Sequence, residues 1–552
     1  MTTKPLPRTP LLLALALPCA LPAPAAARAI DLALEVTVLV TEGDSVPGVG
    51  QVTWFQDVVV HRGGETLVRV GTDHPDPAAD EVVLRNGVVH LRDGTPLAAP
   101  AGATIGSFDS FGLTDSGGVA WNAALANTAG PGDDSAVFWN AALLLQEGAT
   151  VAAAGVPPGT ILSRFWEVAT PDGDTVLVNA SFDVPTLPGN LNAALLRVDP
   201  ATGAQTLVAM EGQAAPGLPG AALSFFSDAP GTFDLNDAGD VLFYADTDLP
   251  AGTDGVIYRG PEILAREGTP SIVPGRNWDD LAGPSVSLNG DGDAAFTARL
   301  AGDFATRAVI VKGDTKWVQA GDALPATGGS PLTFFGSGPL RLADRGEAAD
   351  DDPDLLWYGR WSDPHHGSTA ALFLNDKPLL RSSADTLLGQ PISTVFGLTR
   401  SYSMSPDGRY VVARVRLADG TDVAVRIDRG PWRSTGHALA GANGAPRLRA
   451  FGSLAPNSPL TVELRGAAPN ASATLILGLS RADLSFLGGT LVPSPDVVVS
   501  SLPTDANGEL LLATAWPPGL PPGARIFLQS WVADAGAPGG AAASNGVEGT
   551  IP

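Results

Sequence analysis

Apolar residues in this chain come in short alternating runs, and the runs are punctuated by polar turns that contain glycine. The clearest examples are Phe233-Asp-Leu-Asn-Asp-Ala-Gly-Asp-Val-Leu-Phe243 and Val286-Ser-Leu-Asn-Gly-Asp-Gly-Asp-Ala-Ala-Phe296. Weaker versions surround Gly117, Gly173, Gly346 and Gly408, and a degenerate one surrounds Gly64. Alternation at period two predicts half-buried strands, and Asn/Asp-x-Gly supplies the positive-φ positions of a tight turn, so each phrase reads as a β-hairpin. A second phrase falls between the hairpins: Glu42-Gly with Pro47-Gly48, Glu147-Gly with Pro158-Gly159, Glu211-Gly with Pro219-Gly220, and Glu267-Gly with Pro274-Gly275. Further apolar pairs precede it, such as Ala308–Lys312 and Lys316–Gln319. Each unit therefore holds about four short strands, the signature of a propeller blade.

Seven units predict an all-β fold, a seven-bladed β-propeller over residues 30–430. The last unit offers strands near 398–404, 409–417 and 422–428 and then stops. Residues 34–41 read as a lone outer strand, so the expectation is that they complete the seventh sheet and close the ring. A closed ring leaves no open sheet edge. Residues 431–446 are rich in Gly, Ala and Pro and read as a linker. Beyond it, strand-like runs at 460–464, 473–477, 496–500, 509–513 and 525–532 predict a small C-terminal β-sandwich over 447–552, an accessory or attachment domain.

Residues 1–29 change the expected compartment. Lys4 and Arg8 precede an apolar run at Leu11–Leu17, and Ala25–Ala29 offers small-residue cleavage sites, as in a secretory signal peptide. Export is expected, to the periplasm or the outside of the cell. Cys19, the single cysteine, lies in this leader, so the mature chain would hold no disulfide. Pro18 before it argues against a lipid anchor. No later stretch is long and apolar enough to span a bilayer.

The charge is −25, from 33 Lys plus Arg against 58 Asp plus Glu, and such an acidic chain repels phosphate backbones and excludes nucleic acid as a natural partner. The scarcity of lysine and the wealth of Ala, Gly and Pro point to a GC-rich bacterial genome.

The phrase at Asn289–Phe296, with Asn236-Asp-Ala-Gly239, resembles a family of secreted bacterial tandem-repeat proteins named for its Asn-x-x-Gly-x-x-Ala-Phe motif, over roughly residues 33–430. Leu484–Pro493 and Gln529–Asp534 resemble a C-terminal β domain of exported planctomycete and myxobacterial proteins. These resemblances imply export and a repeat β fold, and they imply no activity.

Candidate chemistry is sparse. Gly43-Asp44-Ser45 with Asp363-Pro364-His365-His366 looks like the blocks of SGNH esterases. Yet Gly-Asp-Ser is one copy of the Glu-Gly loop, and the chain lacks the helical periodicity of that fold. Asn289, Asp291 and Asp293 alternate as calcium ligands can, although such turns also form for backbone reasons. His365 and His366 beside Asp363 are a candidate metal or ligand site. Among the tryptophans, most occupy strand positions that suit core packing. Trp278, beside Asp279 and Asp280, is the candidate for an exposed platform under a sugar ring. The leading expectation is a monomeric, non-catalytic exported protein that binds a glycan or a surface protein, with calcium as the single candidate cofactor. The alternative is an extracellular polysaccharide hydrolase or lyase using channel carboxylates.

Overall fold

The computed structural model describes residues 34–171, 173–185, 192–281, 283–336, 338–346 and 352–552. The expected signal peptide, with Cys19, lies outside them. The described residues form an all-β chain with no α-helix and three short 3-10 turns. It divides into two compact units, Glu35–Asp428 and Arg429–Pro552.

The first unit contains seven antiparallel sheets, each a meander in chain order. In the second sheet, for example, strands Thr104–Leu113, Val119–Ala126, Ser135–Trp139 and Ala142–Gln146 follow one another. All seven turn glycines lie between the first and second strands of their sheets. Gly64, Gly117, Gly239, Gly292 and Gly408 hold φ between +70° and +86°, where a side chain would be strained. In two copies the turn's leading asparagine clamps it: Asn236 Oδ1 accepts from Asp240 N at 2.9 Å and Asn289 Oδ1 from Asp293 N at 2.7 Å.

The seventh sheet takes its outer strand from the other end of the unit. Glu35–Thr41 pairs antiparallel with Asp422–Asp428, from Glu35 opposite Asp428 to Thr41 opposite Val423. The expected closing strand is therefore present.

Successive sheets share cores. Trp121, stacked on Phe138 at 4.1 Å, lies in a cluster with Leu67 and Val83 of the first sheet. Trp357 stacks on Phe373 at 4.4 Å in a cluster with Ala295, Ile310 and Val318 of the fifth. Further clusters join the second to the third sheet, the third to the fourth and the fourth to the fifth. Val40, Val412 and Ala424 of the seventh sheet pack with Val52, Val70 and Val82 of the first. Between the sixth and seventh, the Tyr358 ring occupies the space that a Cβ would fill on Gly336 or Gly397.

The recurrent Glu-Gly phrase has a structural meaning. Where the phrase keeps its acid, that residue follows the outer strand and reaches backbone N–H groups, as at Glu211 and Glu267. Glu211 Oε2 accepts from Asn192 N and Ala193 N at 2.6 and 2.9 Å, while Oε1 accepts from Phe226 N of the next sheet at 3.1 Å. Glu267 likewise takes Leu281 N at 2.8 Å and Gly255 N at 3.3 Å. Asp93, whose Oδ1 accepts from Glu81 N at 3.0 Å, stands at the same place in the first sheet.

In the second unit a six-stranded sheet and a three-stranded sheet bury one common core, with Leu448, Leu460, Val462 and Leu464 from one and Leu475, Ile526, Leu528 and Val547 from the other. The segment expected as a linker departs from that reading. Trp432–Gly436 is a strand paired with Gly546–Thr550, and Trp432 packs edge-on near Trp516. Its Gly and Ser content hid a strand whose partner is distant in sequence.

Candidate functional site

A defect repeats in the first strand of every sheet of the first unit. The register slips between Val52 and Trp54, Ile105 and Ser107, Leu162 and Arg164, Leu223 and Phe225, Trp278 and Asp280, Leu332 and Phe334, and Ile392 and Thr394. A β-bulge re-aims the residues that follow it. The residue before each bulge is buried, and after it come the exposed rings of Trp54, Phe225 and Phe334. Arg164 lies over the Trp166 ring at 4.0 Å. These positions mark the end of the first strands farthest from the glycine turns.

Midway along the same strands there is a second irregularity. It is a bulge in the first three sheets, between Phe55 and Val58, Phe108 and Ser110, and Phe165 and Glu167. In the fourth to seventh sheets the strand breaks in two. Asp57, Asp109 and Glu167 come from this level of the first three sheets, and Arg400 from that of the seventh. Arg400 holds φ +61°, a left-handed conformation rare for a residue with a side chain. Its guanidinium reaches the Asp109 carbonyl and, at 3.3 Å, Glu167 Oε1.

From this level to the glycine turns runs a cavity of ≈170 Å³ whose wall draws on all seven sheets. Asp57, Leu113, Glu167, Asp234, Asn289, Arg341 and Arg400 are among its lining residues, with one or more from each sheet. Burial pushes the Asp57, Asp109 and Glu167 carboxyls upward, against the pull of the nearby arginines. Asp57 has Arg69 at 3.4 Å, and Arg69 also pairs with Glu81. Burial raises Asp234 as well, though it accepts from Leu288 N at 2.9 Å and Leu235 N at 3.0 Å. At the turn end, hydrogen bonds pass from sheet to sheet. Gly173 N donates to Asp237 at 2.6 Å and Gly290 N to Asp344 at 2.6 Å, while Arg62 pairs with Asp115 at 2.7 Å and with Asp344.

The residues singled out from sequence lie elsewhere. Trp278 is not exposed: it is 3% accessible and packs with Phe296 at 6.0 Å, because it takes the core position that Leu223 and Leu332 occupy in neighbouring sheets. Asp279 is exposed and Asp280 pairs with Arg299. Asn289 Nδ2 donates to Asp293 at 3.0 Å and to the Ala343 carbonyl at 2.8 Å. Asp291 accepts from Arg345 N at 2.6 Å, and Asp293 pairs with the Arg345 side chain. These three residues thus fasten the fifth sheet to the sixth. Among the described residues no group of three His, Cys, Asp or Glu side chains is placed to hold a metal ion. His365 and His366 sit on an exposed hairpin turn, where Asp363 Oδ1 accepts from both backbone N–H groups at 2.8 and 2.9 Å. Glu167, Arg341 and Arg400 escaped sequence reading because they share no local motif; the repeat register would have aligned Asp57 with Glu167, each two residues after a buried phenylalanine, Phe55 and Phe165.

The model of a family of unknown function, DUF7453, matches residues 27–247 and again residues 113–350, together more than half of the chain. The chain belongs to that family. No curated protein matches it in sequence. Among solved structures it is similar to the polysaccharide lyase Uly1, at 8% identity and a TM-score of 0.34 over 70% of this chain and 91% of that one. A protein of unknown function from Dyadobacter fermentans DSM 18053 gives 11% identity and a TM-score of 0.23, over 59% of this chain and 99% of that one. A subtype N11 neuraminidase-like protein of A/flat-faced bat/Peru/033/2010 (H18N11) gives 11% and 0.26, over 61% and 92%. Likeness at this level carries no argument about activity.

Proposed function

We propose that this chain is an exported, non-catalytic binding protein: a seven-bladed β-propeller closed by its N-terminal strand and followed by a β-sandwich attachment domain. Its axial cavity receives the terminal sugar unit of an extracellular or cell-surface glycan. The observation that carries this reading is a cavity to which all seven sheets contribute. Its volume of ≈170 Å³ leaves room for a small ligand group such as one sugar unit. Its wall offers hydrogen-bonding side chains set by rigid strands, and carbohydrate hydroxyls are recognised by such groups. Screening the mature protein on a glycan array tests this. Binding that is lost in an Arg400→Ala variant supports it, and silence across terminal sugars of every class overturns it.

One observation favours a second reading, glycan cleavage by acid–base chemistry: Glu167 and Asp57 both line the cavity, and burial pushes both carboxyls upward, as a general acid requires. Release of new reducing ends from the bound glycan, abolished in Glu167→Gln, would replace the non-catalytic reading with this one.

A further inference from the structure

We infer that the sugar unit received by the axial cavity is an acidic one, and that Arg341 binds its carboxylate. The inference rests on the proposed glycan reading and concerns the chemistry left unused in the wall.

The carboxylates that line the cavity are all engaged. Glu167 accepts from Gly231 N at 3.1 Å and from Arg400 at 3.3 Å. Asp234 accepts from Leu288 N and Leu235 N. Asp237 accepts from Gly173 N, Asp344 from Gly290 N and Arg62, and Asp57 from Arg69. Arg400 is engaged too, between Asp109 and Glu167. Every one of these carboxylates is thus already tied to a donor of the protein.

The least-used charged group of the wall is a donor. Arg341 lines the cavity in the sixth sheet, and its one hydrogen bond among the described residues goes from Nη1 to the carbonyl of its own neighbour Leu340, at 3.1 Å. A guanidinium has five N–H donors in a planar fork, so most of this fork is unused. Its charge acts on Glu167 and Asp234 without hydrogen-bonding either. Tyr402 also lines the cavity, and its buried Oη has the Tyr358 N–H near it and no acceptor for its own proton. A ligand carboxylate matches an open guanidinium fork in charge and in two-point geometry. A neutral sugar would leave that fork unfilled in a site shielded from water. Burial also favours the neutral form of Glu167, which reduces repulsion toward an incoming anion.

The test is isothermal titration of the full mature protein with D-glucuronate, its methyl ester and D-glucose. The ester removes the charge from the ligand and needs no variant that must fold. The expected result is binding of glucuronate at least tenfold tighter than of ester or glucose. Arg341→Ala should lower glucuronate affinity by about 10- to 100-fold, the size of one lost charge-assisted contact. Equal binding of glucuronate and glucose would overturn the inference and leave the glycan reading standing. A preference that survives in Arg341→Ala with an unchanged melting temperature would place the carboxylate elsewhere and also overturn it. Absence of binding to any sugar, on the array as in titration, would bring down the glycan reading itself.

Discussion

Glu211 offers the sharpest test of what the recurrent Glu-Gly phrase is for. It is 2% exposed, and its two oxygens accept three backbone N–H groups, two from its own sheet and one from the next. Replacement by alanine strands all three donors. Each buried unsatisfied group costs about 1–3 kcal/mol, and partial access of water at Asn192 lowers the sum to roughly 3–5 kcal/mol. Glutamine keeps one oxygen, which can serve Asn192 N and Ala193 N, but it turns an NH₂ toward Phe226 N. One lost bond and one donor–donor contact cost roughly 1–3 kcal/mol. Unfolding entropy of about 2.1 cal/mol/K per residue, over the Glu35–Asp428 unit, gives about 0.8 kcal/mol/K. The melting temperature should therefore fall by about 4–6 °C in Glu211→Ala and about 1–4 °C in Glu211→Gln, read by differential scanning calorimetry. Glu262→Gln is the control. That carboxylate pairs with Arg259 at 2.6 Å on the surface, with 55% of its side chain exposed, and a surface pair contributes about 0–1 kcal/mol. If Glu211→Gln melts with the wild type, or no higher than Glu211→Ala, the inter-sheet clamp is not what the phrase provides.

Stability should also rise on mild acidification. Burial lifts Asp93 to about 6, and burial with the Asp134 carboxyl beside it lifts Glu147 to about 7. The folded chain then holds more protons than the unfolded one between roughly pH 4.5 and 7, so unfolding free energy increases as pH falls through that window. Below it the sign reverses, because the Arg85 hydrogen bond holds Glu65 down at about 2 and that stabilisation is lost in acid. A melting temperature that peaks near pH 5 is expected, and one that drops steadily from pH 8 to 5 would contradict the burial of these acids. Trp357→Ala removes a fully buried ring stacked on Phe373 and should cost about 3–5 kcal/mol by denaturant melts; a loss under about 1 kcal/mol would refute its place in the shared core. Deleting residues 35–41 uncovers the edge of strand Asp422–Asp428, and size-exclusion chromatography should show species larger than the intact chain forms. A monomer of unchanged melting temperature would show the closing strand to be dispensable.

Sheets and turns were legible in the chain because their causes are local. A glycine at φ near +80° in five copies, clamped by an asparagine in two of them, leaves a recognisable short phrase, and the closing strand was visible as a strand without its own sheet. Trp278 was misjudged for a reason that is also physical. Its neighbours Asn277, Asp279 and Asp280 look like a loop, but its place in the repeat is that of Leu223 and Leu332, before the bulge and in the core. The strand at Trp432–Gly436 was hidden because its partner is more than a hundred residues away. The cavity was the least legible part. Arg341, Glu167 and Arg400 come from three sheets and three different local sequences, and only the circuit of shared cores brings them together.

The pairing of Glu35–Thr41 with Asp422–Asp428 also bears on the birth of the molecule. The segment that leaves the ribosome early cannot find its place until the seventh repeat has followed, nearly four hundred residues later. Until then it must stay unmatched, with a loop-closure cost that grows only as about (3/2)RT ln n. Completion of the sheet thus comes last for the whole unit: a chain interrupted before residue 422 lacks the strand against which Glu35–Thr41 pairs, and leaves that segment's backbone groups unmatched.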